Sequence, residues 1–259
     1  MGDMISLERH GAVAEISLHR PPANAYNPQF AHELSDAIGT IRNDDGLRVA
    51  IVTSAVPKFF SAGADIKYFQ ASSLAEKVKF ISSMHEVLRR VETMPKVFIA
   101  VIPGHCLGGG LEIALACDLR FAAAGSYGLG QPEITLGILP GNGGTQRLPR
   151  LIGKSRALDL MITGRTVSPE EALDLGLVDR VFPADSLLPK TMEYAEALAK
   201  SASLTVGLIK LTANRGLEMA LDDGLAYERE ALFRSFQTED AKEGVEAFIG
   251  KRAPVFKGS

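Results

Sequence analysis

The sequence has little cysteine, no excess of charge and no long apolar run. Cys106 and Cys117 are its only two cysteines in 259 residues. Both sit in apolar surroundings and read as small buried hydrophobes of a protein kept in a reducing compartment, so a cytoplasmic location is expected and a disulfide scaffold is not. Lys and Arg total 28 against 31 Asp and Glu, a net charge of −3. No basic field draws nucleic acid or an anionic membrane, and an anionic ligand would have to be held locally. No uninterrupted apolar stretch approaches the ~18 residues of a membrane-spanning helix. Met1 to Ile5 lack a basic stretch followed by an apolar core, so no signal peptide is expected. Several catalytic signatures are missing as well. Gly153-Lys154-Ser155 ends like a phosphate-binding loop, but Leu148 stands where its first glycine belongs. The glycines from Gly104 to Gly110 do not have dinucleotide-binding spacing. His32-Glu33 and His85-Glu86 have no second histidine at the zinc-protease offset, and there is neither a C-x-x-C pair nor a G-x-S-x-G elbow. Metal, nicotinamide and serine-nucleophile chemistry are therefore not expected.

What is present is ordinary for a globular chain: 46% hydrophobic and 23% charged residues, with a length between one and two typical domains. Residues 4–9 and 12–19 alternate apolar and polar about His10-Gly11, a hairpin pattern. Phe30, Leu34, Ala37, Ile38 and Ile41 have helical spacing, and a longer helix is expected over about 73–93, before Pro95. The β-branched runs 49–53 and 97–102 predict buried strands, as does 119–122. Strands alternating with helices imply an α/β core with crossover connections. Beyond about residue 142 only Leu177–Val181 still resembles a strand, and 188–250 reads as three or four amphipathic helices. The expected division is an α/β core over residues 1–190 and a helical extension over 191–259, packed on that core or on a partner subunit. No repeat of fixed period is visible.

Three segments carry chemistry. In Leu107-Gly108-Gly109-Gly110-Leu111-Glu112 a strand runs through a triple glycine into an apolar helix. Glycine lets the backbone approach a ligand, and the free N–H groups of a first helical turn can hold developing negative charge. Glu112, two residues on, is a lone carboxylate in an apolar helix, which is costly unless it is paired, hydrated or functional. An arginine from another segment would be the structural explanation. The second segment is Gly130-Gln131-Pro132-Glu133-Ile134, followed by Pro140-Gly141-Asn142-Gly143-Gly144. Pro132 suits a first helical position, so Glu133 could simply complement a helix dipole. Two carboxylates converging on one cavity would instead hold a water for acid–base chemistry. The third is Ser61-Ala62-Gly63-Ala64-Asp65-Ile66-Lys67. There Ala64 can offer a second backbone N–H, Asp65 can cap a helix, and Lys67 can reach an anion or lie free on the surface.

Together these strings resemble the enoyl-CoA hydratase/isomerase (crotonase) superfamily, in order and spacing across nearly the whole chain. The resemblance extends through Thr163-Gly164-Arg165, Gly176-Leu177-Val178 and the Glu243–Pro254 ending. It implies an α/β spiral of ββα units, C-terminal helices that build a homotrimer or homohexamer, and an acyl-CoA thioester substrate with no separate cofactor. It further implies an oxyanion hole from the N–H groups of Ala64 and Gly109. Substrate contacts are expected from Ala62, Ala64, Asp65, Ile66, Lys67, Gly109 and Gly141, with Lys67 or C-terminal basic residues near the coenzyme A phosphates. Gly141 is expected to bring a helix N-terminus near the thioester. Hydratases of the superfamily carry glutamates at the positions of Glu112 and Glu133, so hydration of a 2-enoyl-CoA is implied, with Glu112 activating water and Glu133 delivering the C2 proton. A Δ3,Δ2-enoyl-CoA isomerase and a hydratase for cyclic or branched substrates are the alternatives; an RNA-binding relative is disfavoured by the charge. Two positions depart from the pattern. Asn142 stands where many hydratases have alanine, and Tyr26 where leucine is commoner; Tyr26 is expected to line the coenzyme A entrance.

Overall fold

The computed structural model describes residues 2–259. The chain opens with a hairpin of β1 (Ile5–His10) and β2 (Val13–Leu18), followed by α1 (Pro28–Asn43) and β3 (Val49–Ser54). Asn27 caps α1 by accepting from the Phe30 N–H, and Pro28 fills the first helical position, where a missing N–H does no harm. β4 (Phe59–Ser61), α2 (Ile66–Ala71) and α3 (Leu74–Thr93) come next. A reciprocal capping box between Ser73 and Glu76 starts α3. Then β5 (Val97–Ile102), β6 (His105–Leu107), α4 (Gly109–Ala116), β7 (Leu119–Ala123) and β8 (Leu129–Gly130) lead to a short 3-10 helix, Pro132–Leu136. The rest is mostly helical: α5 (Gly144–Ile152), α6 (Lys154–Thr163), β9 (Thr166–Val167), α7 (Pro169–Leu175), β10 (Arg180–Phe182), α8 (Leu187–Ala199), α9 (Ser203–Gly216), α10 (Leu221–Ser235) and α11 (Glu239–Ile249).

Two sheets organise these elements. The larger has the order β1-β2-β3-β5-β7-β10 and is parallel except at the first hairpin. The smaller has the order β4-β6-β8-β9. Each ββ pair of the spiral sends one strand to each sheet before a helix returns the chain. Successive units begin at residues 49, 97 and 119, so they share geometry without a common length. That is why no period shows in the sequence.

The alternation of strand side chains builds two cores. Phe98, Ala100 and Ile102 of β5 pack with α1, α3 and α4, whereas Val97, Ile99 and Val101 face Leu187, Ala195 and Ala199 of α8. A strand covered on both faces must be apolar throughout, as β5 is. The helical region is fixed to this core at α9. There the buried Lys210 ammonium reaches Asp118 at 2.8 Å and the carbonyls of Val91 and Lys96 at 2.7 and 2.8 Å.

Leu177–Val181 is not the strand its apolar residues suggest. Leu177 and Val178 donate to the Ala172 carbonyl in a turn after Gly176, and β10 begins only at Arg180. Their burial is the apolar contact that closes a helix C-terminus, which mimics a strand run in sequence.

Candidate active site

The site forms where β6 turns through Gly108 into α4. Gly108 has φ +53°, in the left-handed region open to glycine, and a methyl group on it would sit 2.8 Å from Glu133 Oε1. The loop after β4 presses on the same turn. A methyl group on Gly63 would lie 3.1 Å from the Gly109 nitrogen. This brings the loop that carries the Ala64 N–H against the residue that carries the Gly109 N–H. Ala64 bridges Tyr26 in a parallel pairing that engages its neighbours: Tyr26 donates to Gly63, and Asp65 donates to Tyr26. The Ala64 N–H is left pointing away. Gly109 is the first residue of α4, so its N–H has no helical acceptor. Neither N–H donates to any acceptor among the described residues.

Every residue of α4 is buried, and Glu112 is 1% exposed. Its Oε1 accepts from the N–H groups of Asn142 at 2.6 Å and Gly144 at 2.7 Å. Burial raises its pKa above the ordinary carboxylate value, and those two donors oppose the rise. Oε2 takes no hydrogen bond from the described residues. Arg147, whose charge reaches Glu112, instead binds Glu92 at 2.6 Å and the Asn142 carbonyl at 2.7 Å. Backbone amides thus hold Oε1 of Glu112, where an ion pair was the expected structural explanation.

Glu133 lies on the 3-10 turn and is half-buried. Burial, with the charge of Glu112 behind it, pushes its pKa up to about 7. The Gln131 amide lies 3.0 Å from both carboxylate oxygens, in position to donate. The two glutamates and the two free N–H groups therefore meet around one turn of α4. Among the described residues no cluster of three His, Cys, Asp or Glu side chains has metal-binding geometry, and no helix is long and apolar enough to cross a membrane.

Residues 8–259 match the sequence profile of the enoyl-CoA hydratase/isomerase family. The chain belongs to that family. It is 41% identical over 249 residues to a short-chain-enoyl-CoA hydratase of Clostridium acetobutylicum, covering 96% of this chain and 95% of the relative. It is 39% identical to a crotonyl-CoA hydratase of Syntrophomonas wolfei, with 97% of each covered. A crystal structure of an enoyl-CoA hydratase from Geobacillus kaustophilus superimposes with a TM-score of 0.98 at 47% identity, covering all of this chain and 98% of the other.

In this family member the remaining expected site residues are placed unequally. Ile66 and Lys67 are exposed at the start of α2, free to meet a ligand. Ala62 is half-buried and donates to Ala23. Asp65 is already committed. Its carboxylate caps α2 by accepting from Lys67 and Tyr68 and binds Arg20 at 2.6 Å, which together hold its pKa low. The helix N-terminus after Gly141 is also engaged elsewhere: its amides hold Glu112, and the Gly141 carbonyl meets His85 at 2.7 Å. Tyr26 does not line an entrance. It is 1% exposed, it packs against Phe30 and Phe80, and its hydroxyl stands over Gly109. Sequence reasoning left Tyr26, Asn142 and Gln131 out of the site. Their signal was present in part, as two departures from the family pattern and as a glutamine beside the second glutamate.

Proposed function

We propose that the chain is an enoyl-CoA hydratase that adds water across the 2,3 double bond of a 2-enoyl-CoA to give the 3-hydroxyacyl-CoA. The observation that carries this reading is the pairing, around the first turn of α4, of two unengaged backbone donors with two glutamates in unlike environments. The donors suit the oxyanion of a thioester enolate, a preorganised arrangement that needs no reorientation as charge develops. A carboxyl with a pKa near 7 is protonated often enough at neutral pH to act as an acid.

The mechanism follows. The Ala64 and Gly109 N–H groups bind the thioester oxygen and draw electrons from the conjugated double bond. Glu112 Oε2 takes a proton from water as the oxygen bonds to C3. The π electrons move to C2, which receives the Glu133 proton. Solvent then removes the proton from Glu112 and reloads Glu133. No separate cofactor enters, because coenzyme A is part of the substrate. Ala62, Ile66 and Lys67 are assigned to the coenzyme A moiety, with Lys67 near its phosphates.

Leu217, Leu221, Phe233, Phe236, Phe248 and Ile249 leave large apolar surfaces exposed on the last three helices and the turns between them. That supports self-association as a homotrimer or homohexamer through residues 191–259. The two buried free thiols suit the reducing cytoplasm.

The test is direct. Purified protein without added cofactor should remove the ultraviolet absorbance of a conjugated enoyl thioester. A rate no faster than buffer across short, medium and cyclic substrates would overturn the reading.

A further inference from the structure

Tyr26 and Asn142, 116 residues apart, touch each other. Asn142 Nδ2 donates to the Tyr26 hydroxyl at 2.6 Å. Packing alone does not explain the pair. The Tyr26 ring fills its space against Phe30 and Phe80 without needing a hydroxyl. A buried phenol and amide also cost stability unless their hydrogen-bonding capacity is used. Here it is only half used. Because Tyr26 accepts from Asn142, its own O–H hydrogen is directed elsewhere, and no acceptor for it exists among the described residues. Burial keeps that proton on, since the pKa of Tyr26 is raised well above its ordinary value, first by desolvation and then by the charge of Glu112. Asn142 is 2% exposed, and its Oδ1 has no partner. The Asn142 backbone is held at both ends, its N–H by Glu112 and its carbonyl by Arg147, and its amide is held by the Tyr26 hydroxyl.

One donor and one acceptor, on two side chains that touch, are thus left open. Both residues also touch the groups assigned to the reaction. The Tyr26 hydroxyl overlies Gly109, whose N–H is unengaged, and Asn142 is bonded directly to Glu112. Resting on the hydratase reading, we propose that Tyr26 and Asn142 are further substrate-contacting residues that hold the oxygen atom added at C3. In the reactant state, water gives one hydrogen to Glu112 Oε2 and the other to Asn142 Oδ1. It accepts from the Tyr26 O–H and has one lone pair left for C3. As the O–C3 bond forms, Glu112 takes the first hydrogen as a proton and Glu133 supplies the proton at C2. The second hydrogen stays on the product hydroxyl, still donating to Asn142. The two O–H bonds and two lone pairs of the oxygen are all used. In the reverse direction the Tyr26 hydrogen stabilises the departing hydroxide.

The pair should make the site prefer a 3-hydroxyacyl thioester to its saturated analogue, which leaves both groups unpartnered. The test uses the full-length Glu133→Gln protein, in which turnover is suppressed, and calorimetric binding of 3-hydroxybutyryl-CoA and butyryl-CoA. The hydroxy ligand should bind roughly tenfold more tightly, as expected for two neutral hydrogen bonds. Adding Tyr26→Phe or Asn142→Ala should cut that preference to about twofold, and the double substitution should cut it no further, because the two residues act as a unit. In the otherwise native chain, Tyr26→Phe should lower kcat roughly tenfold with KM nearly unchanged. A purely structural role would shift the melting temperature and leave the ligand preference alone. Tyr26→Phe keeps the ring, so it decides the matter even if Asn142→Ala fails to fold. Turnover by the native chain with no hydroxyl preference in the Glu133→Gln form overturns the pair and leaves the hydratase reading standing. The preference without any turnover supports the pair and overturns the hydratase reading.

Discussion

Glu112 and Glu133 are the same residue placed in two unlike regions. Glu112 rides a helix buried on all sides, with one carboxylate oxygen clamped by two backbone N–H groups from the start of α5. Glu133 sits on a single 3-10 turn with no such clamp from another segment, close enough to Glu112 to feel its charge. Both are raised by burial. The clamp offsets the rise at Glu112, whereas Glu133 is pushed up to about 7. Position thus gives one side-chain type two environments, by giving each carboxyl a different supply of donors, and the proposed base and acid follow from that difference.

The largest test of that contrast is Glu133→Gln. It removes the acid and should lower kcat by about a thousandfold, with KM within a few-fold in steady-state kinetics. Glu112→Gln should cost about a hundredfold. Its amide oxygen can still accept from Asn142 and Gly144, so the melting temperature should hold. A larger loss from Glu112→Gln than from Glu133→Gln would reverse the assigned roles, and near-native turnover in Glu112→Gln would favour an isomerase.

The pH dependence sharpens the same comparison. As Glu133 loses its proton above pH 7, the hydration rate should fall about tenfold per pH unit. Stability carries the matching sign. A carboxyl raised in the folded state favours folding below its unfolded pKa and loses that contribution as pH rises through about 7. Glu133→Gln should therefore melt above the native chain at pH 8, with the gap closing near pH 4. A gap that widens on acidification would contradict the assigned environment. The smallest effect is expected outside the acid–base pair. Lys67→Ala should raise KM for a coenzyme A thioester by about two- to fivefold, the range of an exposed charge contact, and leave a pantetheine thioester unaffected.

The long elements were legible because their signals are local. Apolar spacing marks α1, the helix expected over about 73–93 is α3 to within a residue, and the unbroken run Val97–Ile102 is β5 itself. The smaller sheet was not legible. β4 and β6 have three residues each, and β8 and β9 have two, too few to show a period of two amid glycines. Of the site, the glycine turn and Glu112 stood out because an apolar helix makes a carboxylate conspicuous, whereas Glu133 also fitted a helix dipole and was singled out through the family resemblance. Their partners did not. Glu112 is satisfied by amides about thirty residues away, and backbone amides carry no residue type to read.

The sequence by itself determined the family, the strands of the larger sheet as far as β7 and the residues able to carry the chemistry, because periodicity and motif spacing are properties of neighbouring residues. Only the tertiary structure decided that the helix terminus after Gly141 serves Glu112, that Asp65 is spent on Arg20 and its own helix, and that Tyr26 meets Asn142 beside Gly109. Those outcomes depend on which distant groups share one buried volume, where each polar atom must find a partner or remain open to a ligand.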